Sequence, residues 1–335
     1  MRIQIMYSLP IDDLENISSR LIDIWPNEKK ILITGGTGFF GRWFVEAICY
    51  LEKKKNSKNK YVIVTRQNKQ ELICKIKVLA EPFFEILKQD IQYSFKIDSE
   101  FHYVINAASD FSKMKNTKES DFGSIVKATK NLLGAIDTTL LNKFLYISSG
   151  GVYNISENAH KEDDLKLTSS INVNSYAEAK KQSELLVEAL PNSCIARCFS
   201  FVGPFVDPKM AVMDMINKKV RKQSIVVHSP MVVRSFMYPS DLVVILFKLL
   251  LLKNNSQVYN VGSDYAISLL ELAKKISHID DNSEVLCKDS IESTSLAGKY
   301  YYANIDRISV EYGKILTVDL DSALDKTFRF MNNKG

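Results

Sequence analysis

The chain has 335 residues, 46% of them hydrophobic, with a formal net charge of +5 at pH 7. That composition belongs to a globular protein rather than a disordered one. The length suffices for one large α/β unit or for two lobes, and the small, dispersed positive charge excludes a nucleic-acid-binding surface.

In chain order, Ile11, Leu14, Ile17, Leu21 and Ile24 carry helical spacing, so an amphipathic helix is predicted ahead of the stop Trp25-Pro26. Residues 1–28 read as an N-terminal extension that packs on the main domain or at a subunit contact. A short apolar strand at 30–34 follows, then a turn with Gly35, Gly38 and Gly41, then a helix over 39–55 whose apolar positions are Trp43, Phe44, Ala47 and Ile48. A strand, a G-x-x-G-x-x-G turn and a helix make a phosphate-binding arrangement. Glycine permits a tight turn and close approach of the backbone, and the helix N-terminus presents amides to an anion. Thr34, Gly35, Thr37, Gly38, Phe39, Phe40 and Gly41 are therefore assigned to a dinucleotide pyrophosphate. The run Lys53-Lys54-Lys55 to Lys60 reads as a solvated helix end and loop.

Further strands are predicted at 61–65, 83–86, 103–106, 143–148 and 194–199, and further helices at 119–138 and 175–190. Apolar strands alternating with helices give a parallel, doubly wound α/β sheet with its ligand site beyond the C-terminal strand ends. After residue 200 the pattern turns irregular. The run Leu242 to Leu252 contains Lys248 and is too short to span a bilayer, so it reads as a buried helix. Five cysteines, at 49, 74, 194, 198 and 287, show no metal-ligand spacing. At i and i+4 of a strand, Cys194 and Cys198 stand about 13 Å apart. All five read as packing residues, no metal is expected, and the compartment is a reducing one. No small-residue cleavage site precedes Asp12-Asp13. The expectation is a cytoplasmic protein with no signal peptide and no membrane partner.

Two more segments sharpen the functional reading. Ser148-Ser149-Gly150-Gly151-Val152-Tyr153 follows the strand Phe144-Leu145-Tyr146-Ile147, and Tyr176-Ala177-Glu178-Ala179-Lys180 is a Y-x-x-x-K on a predicted helix. With the glycine turn, these motifs resemble the extended short-chain dehydrogenase/reductase family, the NAD(P)-dependent epimerase/dehydratase group that modifies nucleotide sugars. The resemblance runs from about Lys29 to the C-terminus. It implies a Rossmann-type cofactor domain over 29–199, and a smaller C-terminal substrate lobe over 200–335 with segments returning to the large domain. It also implies a homodimer through the helices at 119–138 and 175–190.

The resemblance further implies a catalytic set. Tyr176 is the general acid/base, Lys180 lowers its pKa and binds the nicotinamide ribose, and Ser149 orients the substrate oxygen. Positions i and i+4 of a helix lie one above the other, and an ammonium favours the phenolate of a group whose ordinary pKa is about 10. Asp90-Ile91 resembles the family's adenine-contacting pair and Asn106-Ala107-Ala108 its strand end beside the nicotinamide half. The second strand ends Thr65-Arg66-Gln67, with no acid for ribose hydroxyls. Arg66 therefore favours NADP over NAD, with the alternative that it is a solvated strand-end residue stacking on adenine. Ile125 stands where the family carries Asn, four residues before Thr129. Ser109, Ser149, Ser200 and Arg234 are assigned to substrate, Ser200 in the family's Asn position and Arg234 as a bidentate partner for the nucleotide diphosphate. Asp241 is expected to cap the following helix, Val258 to Ser263 to be structural, and His160 to be a solvated loop residue.

Dehydratases of this family carry Asp-Glu directly after the hydroxyl residue, and a decarboxylase branch keeps a Glu in the second of those places. Here the pair is Gly150-Gly151. What remains is redox at one carbon, taken as reduction at C4 of a nucleotide-linked 4-keto-6-deoxyhexose. The alternatives are a nucleotide-sugar 4-epimerase, a carbonyl reductase of another substrate, and a non-catalytic NADP-binding sensor.

Overall fold

The computed structural model describes residues 7–97, 99–108, 122–153, 158–165, 175–288 and 300–333. The chain divides into two units. The first holds Met1–Val152, Lys166–Arg197 and Val243–Tyr259, and the second holds Tyr153–Leu165, Cys198–Leu242 and Asn260–Gly335.

The first unit is built on β1 (Lys30–Thr34), β2 (Lys60–Thr65), β3 (Phe84–Lys88), β4 (Tyr103–Asn106), β5 (Lys143–Ser149) and β6 (Ser193–Cys198). With β9 (Val258–Val261) they form a seven-stranded sheet in the order β3-β2-β1-β4-β5-β6-β9. The pairs β1–β2, β1–β4, β2–β3 and β4–β5 are parallel. Helices on both faces demand strands that are apolar on both sides, and Ile31, Leu32 and Ile33 are all buried. The registers place Thr34 beside Val64 and Asn106, and Asn106 beside Tyr146. The C-terminal ends of β1, β2 and β4 thus stand within a residue of one another, and β5 runs three residues further, to Ser149. The predicted strands recur within one to two residues, the largest shift being the third, 84–88 rather than 83–86.

The helices of this unit are α1 (Ile11–Leu21), α2 (Phe39–Lys55), α3 (Lys69–Lys75), α4 (Gly123–Ala135), α5 (Tyr176–Glu188) and most of α7 (Pro239–Leu251). Helix α5 starts on a Ser175–Glu178 capping box, which satisfies two orphan amides. Helix α4 is shorter than expected: its described start is Gly123, residues 119–121 lie outside the described set, and Ile136 is already extended. Helix α1 buries Leu14, Ile17 and Leu21 completely, each worth about 1.5–3 kcal/mol. Two buried glutamates of α2 hold the segment around it. Glu46 accepts the amides of Ser8 and Leu9 at 2.8 and 2.9 Å. Glu52 accepts Trp25 Nε1 at 2.8 Å and Tyr61 Oη at 2.6 Å. The Trp25 ring meets Phe247 edge-on at 5.0 Å.

Three expectations fail here for identifiable reasons. Lys55 is not part of a freely solvated helix end, because its ammonium donates to the carbonyls of Ile22 and Trp25 at 2.8 and 2.6 Å. Cys74 and Cys287 are exposed, so only Cys49, Cys194 and Cys198 are packing residues. Asp241 lies inside the first turn of α7, and its carboxylate holds the amides of Thr317 and Val318 and the Thr317 hydroxyl at 2.6–2.9 Å.

The second unit holds α6 (Ala211–Val220), β7 (Ile225–Val227), β8 (Val233–Ser235), β10 (Ala266–Ser268), α8 (Leu269–Ser277), β11 (Val285–Cys287), β12 (Tyr300–Tyr301), α9 (Asp306–Tyr312) and α10 (Leu320–Asn332). A three-stranded sheet β10-β8-β12 and a parallel pair β11-β7 lie within it. Among the described residues no helix is long and apolar enough to cross a membrane.

Candidate active site

A cavity of about 180 Å3 lies at the C-terminal strand ends of the first unit. Its lining includes Thr34, Gly35, Thr37 and Gly38 from the glycine turn, Arg66 after β2, Asp90 and Ile91 after β3, and Ala107 and Ala108 after β4. The glycines differ in what they permit. Gly35 has φ +72°, and a Cβ there would stand 2.5 Å from the Ala107 carbonyl oxygen. At Gly41 a Cβ would stand 2.4 Å from the Gly35 oxygen. Gly38 is otherwise: a Cβ would meet only the Gly35 oxygen, at 3.7 Å, and would project into open cavity space. Gly38 is also the N-cap of α2, whose first turn carries no acidic residue. A cradle that a methyl group would partly fill, at a helix N-terminus with no competing carboxylate, fits a dinucleotide diphosphate.

Not all of the expected cofactor residues line this space. Phe39 and Phe40 pack ring against ring at 5.1 Å, and Gly41 serves the turn. The Asn106 side chain is buried and turned to β1, where its Oδ1 accepts the Thr34 hydroxyl at 2.8 Å. Tyr176 and Lys180 do not line the cavity either. Conversely, Val64, Gln89, Gln92, Ser124, Ile125 and Ala128 line it without having been singled out as cofactor residues. The last three share one face of α4 by their i, i+1, i+4 spacing, which was the available signal. Ile125 makes that face apolar where a polar residue was expected, and its carbonyl accepts the Thr129 hydroxyl at 3.1 Å. At the far end, Asp90 Oδ1 accepts the Gln92 amide at 3.0 Å, fixing the turn after β3. The Thr65 hydroxyl accepts the Gln67 amide at 3.2 Å. No carboxylate follows β2.

Tyr176 and Lys180 stand together on α5, and Lys180 reaches β5 two residues before Ser149. Lys180 is 1% exposed, and its ammonium donates to the Ile147 carbonyl at 2.8 Å. It stands 5.8 Å from the Tyr176 ring centroid and 4.8 Å from that of Tyr146. Ser149 Oγ accepts the Gly151 amide at 3.1 Å. Behind them lies a buried ion pair that the sequence reading missed: Arg197 donates Nη2 at 2.8 Å and Nε at 3.1 Å to Glu184, and the Ser148 hydroxyl donates to the same carboxylate. Glu184 is one turn beyond Lys180, and Ser148 precedes Ser149. The pair therefore ties α5 to β5 and β6.

Ser109 lies outside the described residues. In the second unit, the Ser200 carbonyl accepts the Met237 amide at 3.1 Å. Arg234, on β8, places its guanidinium 5.6 Å from the Tyr301 ring centroid, and burial lowers its pKa from the ordinary arginine value. His160 is a correction: it is 3% exposed rather than solvated, stacked on Tyr153 at 4.8 Å and 11°. Burial lowers its pKa. Tyr153 Oη donates to Asn260 Oδ1 at 2.6 Å, and Asn260 Nδ2 donates to the His160 carbonyl, so Asn260 in β9 is a structural clasp. Among the described residues no group of three or more His, Cys, Asp or Glu is placed to hold a metal ion.

The fold and site thus combine a doubly wound sheet, a glycine turn lining a cavity at its strand ends, and Tyr176 beside Lys180 on α5. The profile of the NAD dependent epimerase/dehydratase family matches residues 31–262, and the chain belongs to that family. A dTDP-D-glucose 4,6-dehydratase of Dictyostelium discoideum is 30% identical over 277 residues, covering 75% of this chain and 62% of that relative, less than two thirds of its length. A solved UDP-N-acetylglucosamine 4-epimerase from Methanobrevibacter ruminantium M1, in complex with UDP-N-acetylmuramic acid, superposes with TM-score 0.72 at 19% identity, over 92% of this chain and 100% of the other. A dTDP-glucose 4,6-dehydratase from Bacillus anthracis, in complex with NAD, gives TM-score 0.68 at 16% identity, over 91% and 97%. The two structural likenesses establish the fold.

Proposed function

We propose that this protein is an NADP-preferring oxidoreductase of a nucleotide-linked hexose that reduces a 4-keto-6-deoxy sugar at C4. The observation that carries the reading is the pair Gly150-Gly151. It follows Ser149 directly and leaves no carboxylate between Ser149 and Val152, while Ser149, Tyr176 and Lys180 are all present. Eliminating water across C5 and C6 needs one group to protonate the leaving hydroxyl and another to take the C5 proton. Hydride transfer at C4 needs neither.

When bound, the nicotinamide supplies the hydride that adds to C4. Tyr176 gives its phenolic proton to the C4 oxygen, so the carbonyl becomes a secondary alcohol. The Lys180 ammonium stabilises the phenolate left behind and holds the nicotinamide ribose. Ser149 Oγ, its lone pair engaged by the Gly151 amide, points its proton to the same C4 oxygen. Gly35, Thr37 and Gly38 hold the diphosphate of the dinucleotide, and Asp90 and Ile91 the adenine. Arg66 pairs with a 2′-phosphate, with no carboxylate after β2 to repel it, which supports NADP. In the second unit, Ser200 and Arg234 take the nucleotide diphosphate of the substrate. A homodimer through α4 and α5 and a cytoplasmic location complete the reading.

The test is NADPH oxidation with a panel of nucleotide-4-keto-6-deoxy sugars, with product analysis of the same tubes and NADH in parallel. Stoichiometric oxidation, faster with NADPH, supports the proposal. In parallel tubes, a nucleotide hexose that bears a C4 hydroxyl and is recovered inverted at C4 without net oxidation assigns the same three side chains to a 4-epimerase instead. Binding of NADP without turnover of any sugar assigns a sensor.

A further inference from the structure

Tyr146 is a large, fully buried side chain in the middle of β5, and nothing in the reaction as described uses it. It points to the same side of the sheet as Ser148, two residues on, and so faces α5. The Lys180 ammonium lies 4.8 Å from its ring centroid, closer than to the ring of Tyr176, at 5.8 Å. Its hydroxyl is buried beside the Ser183 and Thr129 hydroxyls, with neither in full hydrogen-bonding geometry. A tyrosine kept for its hydroxyl would have that hydroxyl paired. The contact that Tyr146 does make is through its ring face.

A buried ammonium needs compensation. Here one hydrogen bond goes to the Ile147 carbonyl, and the adjacent ring supplies a second attraction through its quadrupole. The ionisable groups around this point are Tyr176 and Glu184 on α5, with Arg197 paired to Glu184. Glu184 is engaged by Arg197 and Ser148.

We propose that Tyr146 is a positioning residue that holds the Lys180 ammonium against Tyr176 through the face of its ring. The proposal rests on Tyr176 and Lys180 being the acid/base pair. In this arrangement the ring, not the hydroxyl, carries the function. Burial outweighs the opposing Ser183 and Thr129 hydroxyls and, with Tyr176 and Glu184, raises the Tyr146 hydroxyl above the ordinary tyrosine pKa, so it stays neutral and adds no second phenolate beside Lys180.

The test reads the proton on Tyr176 and needs no substrate. Full-length protein labelled with 13Cζ-tyrosine is titrated by NMR, the Tyr176 signal being assigned by its loss in Tyr176→Phe. In wild type the Tyr176 pKa is expected below the ordinary value of about 10. In Tyr146→Phe, which keeps the ring, it is expected to stay within about 0.3 of wild type. In Tyr146→Leu it is expected to rise by about 0.5–1, equivalent to about 0.7–1.4 kcal/mol. If Tyr146→Leu does not fold, 3,4,5-trifluorophenylalanine at position 146, which keeps the shape and weakens the quadrupole, is expected to give the same rise. A wild-type Tyr176 at the ordinary value overturns the acid/base reading itself. A depressed Tyr176 that stays put in the Leu and trifluoro variants overturns the role of Tyr146 alone.

Discussion

Two glycine-bearing turns follow buried strands in the first unit, and their glycines are there for opposite reasons. After β1, Gly35 and Gly41 are imposed by the backbone, because any Cβ would stand 2.4–2.5 Å from a carbonyl oxygen. After β5, Gly151 has no left-handed φ, and an added Cβ would meet only Ser149 Oγ, at 3.2 Å. At Gly151 no backbone stands in the way of a side chain, only the Ser149 hydroxyl, and the sequence lacks one. The first turn therefore reports on architecture, and the second on which chemistry has been left out. Gly38 stands between the two cases: the protein leaves space for a Cβ, and the proposed diphosphate claims that space.

That contrast is open to attack at several points. The largest effect is expected behind the second turn, at the pair that holds β5 and β6 to α5. Arg197→Met leaves the buried Glu184 carboxylate unpaired and is expected to cost about 3–5 kcal/mol in urea unfolding. Next comes Gly35→Ala, where backbone must move to admit the methyl group. A loss of about 1–3 kcal/mol is expected, with loss of dinucleotide binding by calorimetry. Gly38→Ala is expected to change stability by less than about 0.5 kcal/mol while weakening NADP binding about tenfold, equivalent to about 1.4 kcal/mol. If Gly38→Ala instead destabilises as Gly35→Ala does, Gly38 belongs with the architecture and not with the ligand. Gly151→Ala is expected to leave the melting temperature unchanged and to slow turnover a few-fold by crowding Ser149 Oγ.

The smallest effect concerns pH. Burial raises the pKa of Glu46, so the folded chain holds this proton at a pH where the unfolded chain has lost it. Stability from this group therefore falls as pH rises from the ordinary glutamate value through the raised one. Glu46→Gln keeps an oxygen to accept the Ser8 and Leu9 amides and removes the titration. Its unfolding free energy is expected to be flatter than that of wild type across that window.

What could be read from the sequence followed local signals. Strand alternation, the glycine spacing and the i, i+4 pair of Tyr176 and Lys180 are each contained in a few residues, and α2 ends at Lys55 as expected. What could not be read depends on partners far apart in the chain. His160 looks like loop, yet it is buried because Tyr153 stacks on one face and Phe199 lies 6.1 Å away. Glu184 looks like an ordinary helix-surface acid until Arg197, thirteen residues on, reaches it from β6. Trp25 looks like a helix stop, while its indole finds Glu52 across 27 residues. Asp241 resembles a cap by position, and its acceptors are claimed by Thr317 and Val318. Polar groups inside a protein must be paired, but the sequence does not say with whom.

The central claim is that Ser149, Tyr176 and Lys180, with glycines at 150 and 151, perform redox at one sugar carbon without eliminating water. The most direct test is the mass of the nucleotide sugar recovered after incubation with the purified protein and NADPH. A 4-keto-6-deoxy substrate is expected to return heavier by one hydride and one proton, and a hexose that still bears its 6-hydroxyl to keep every atom. Recovery of any nucleotide hexose lighter by one water would contradict the claim.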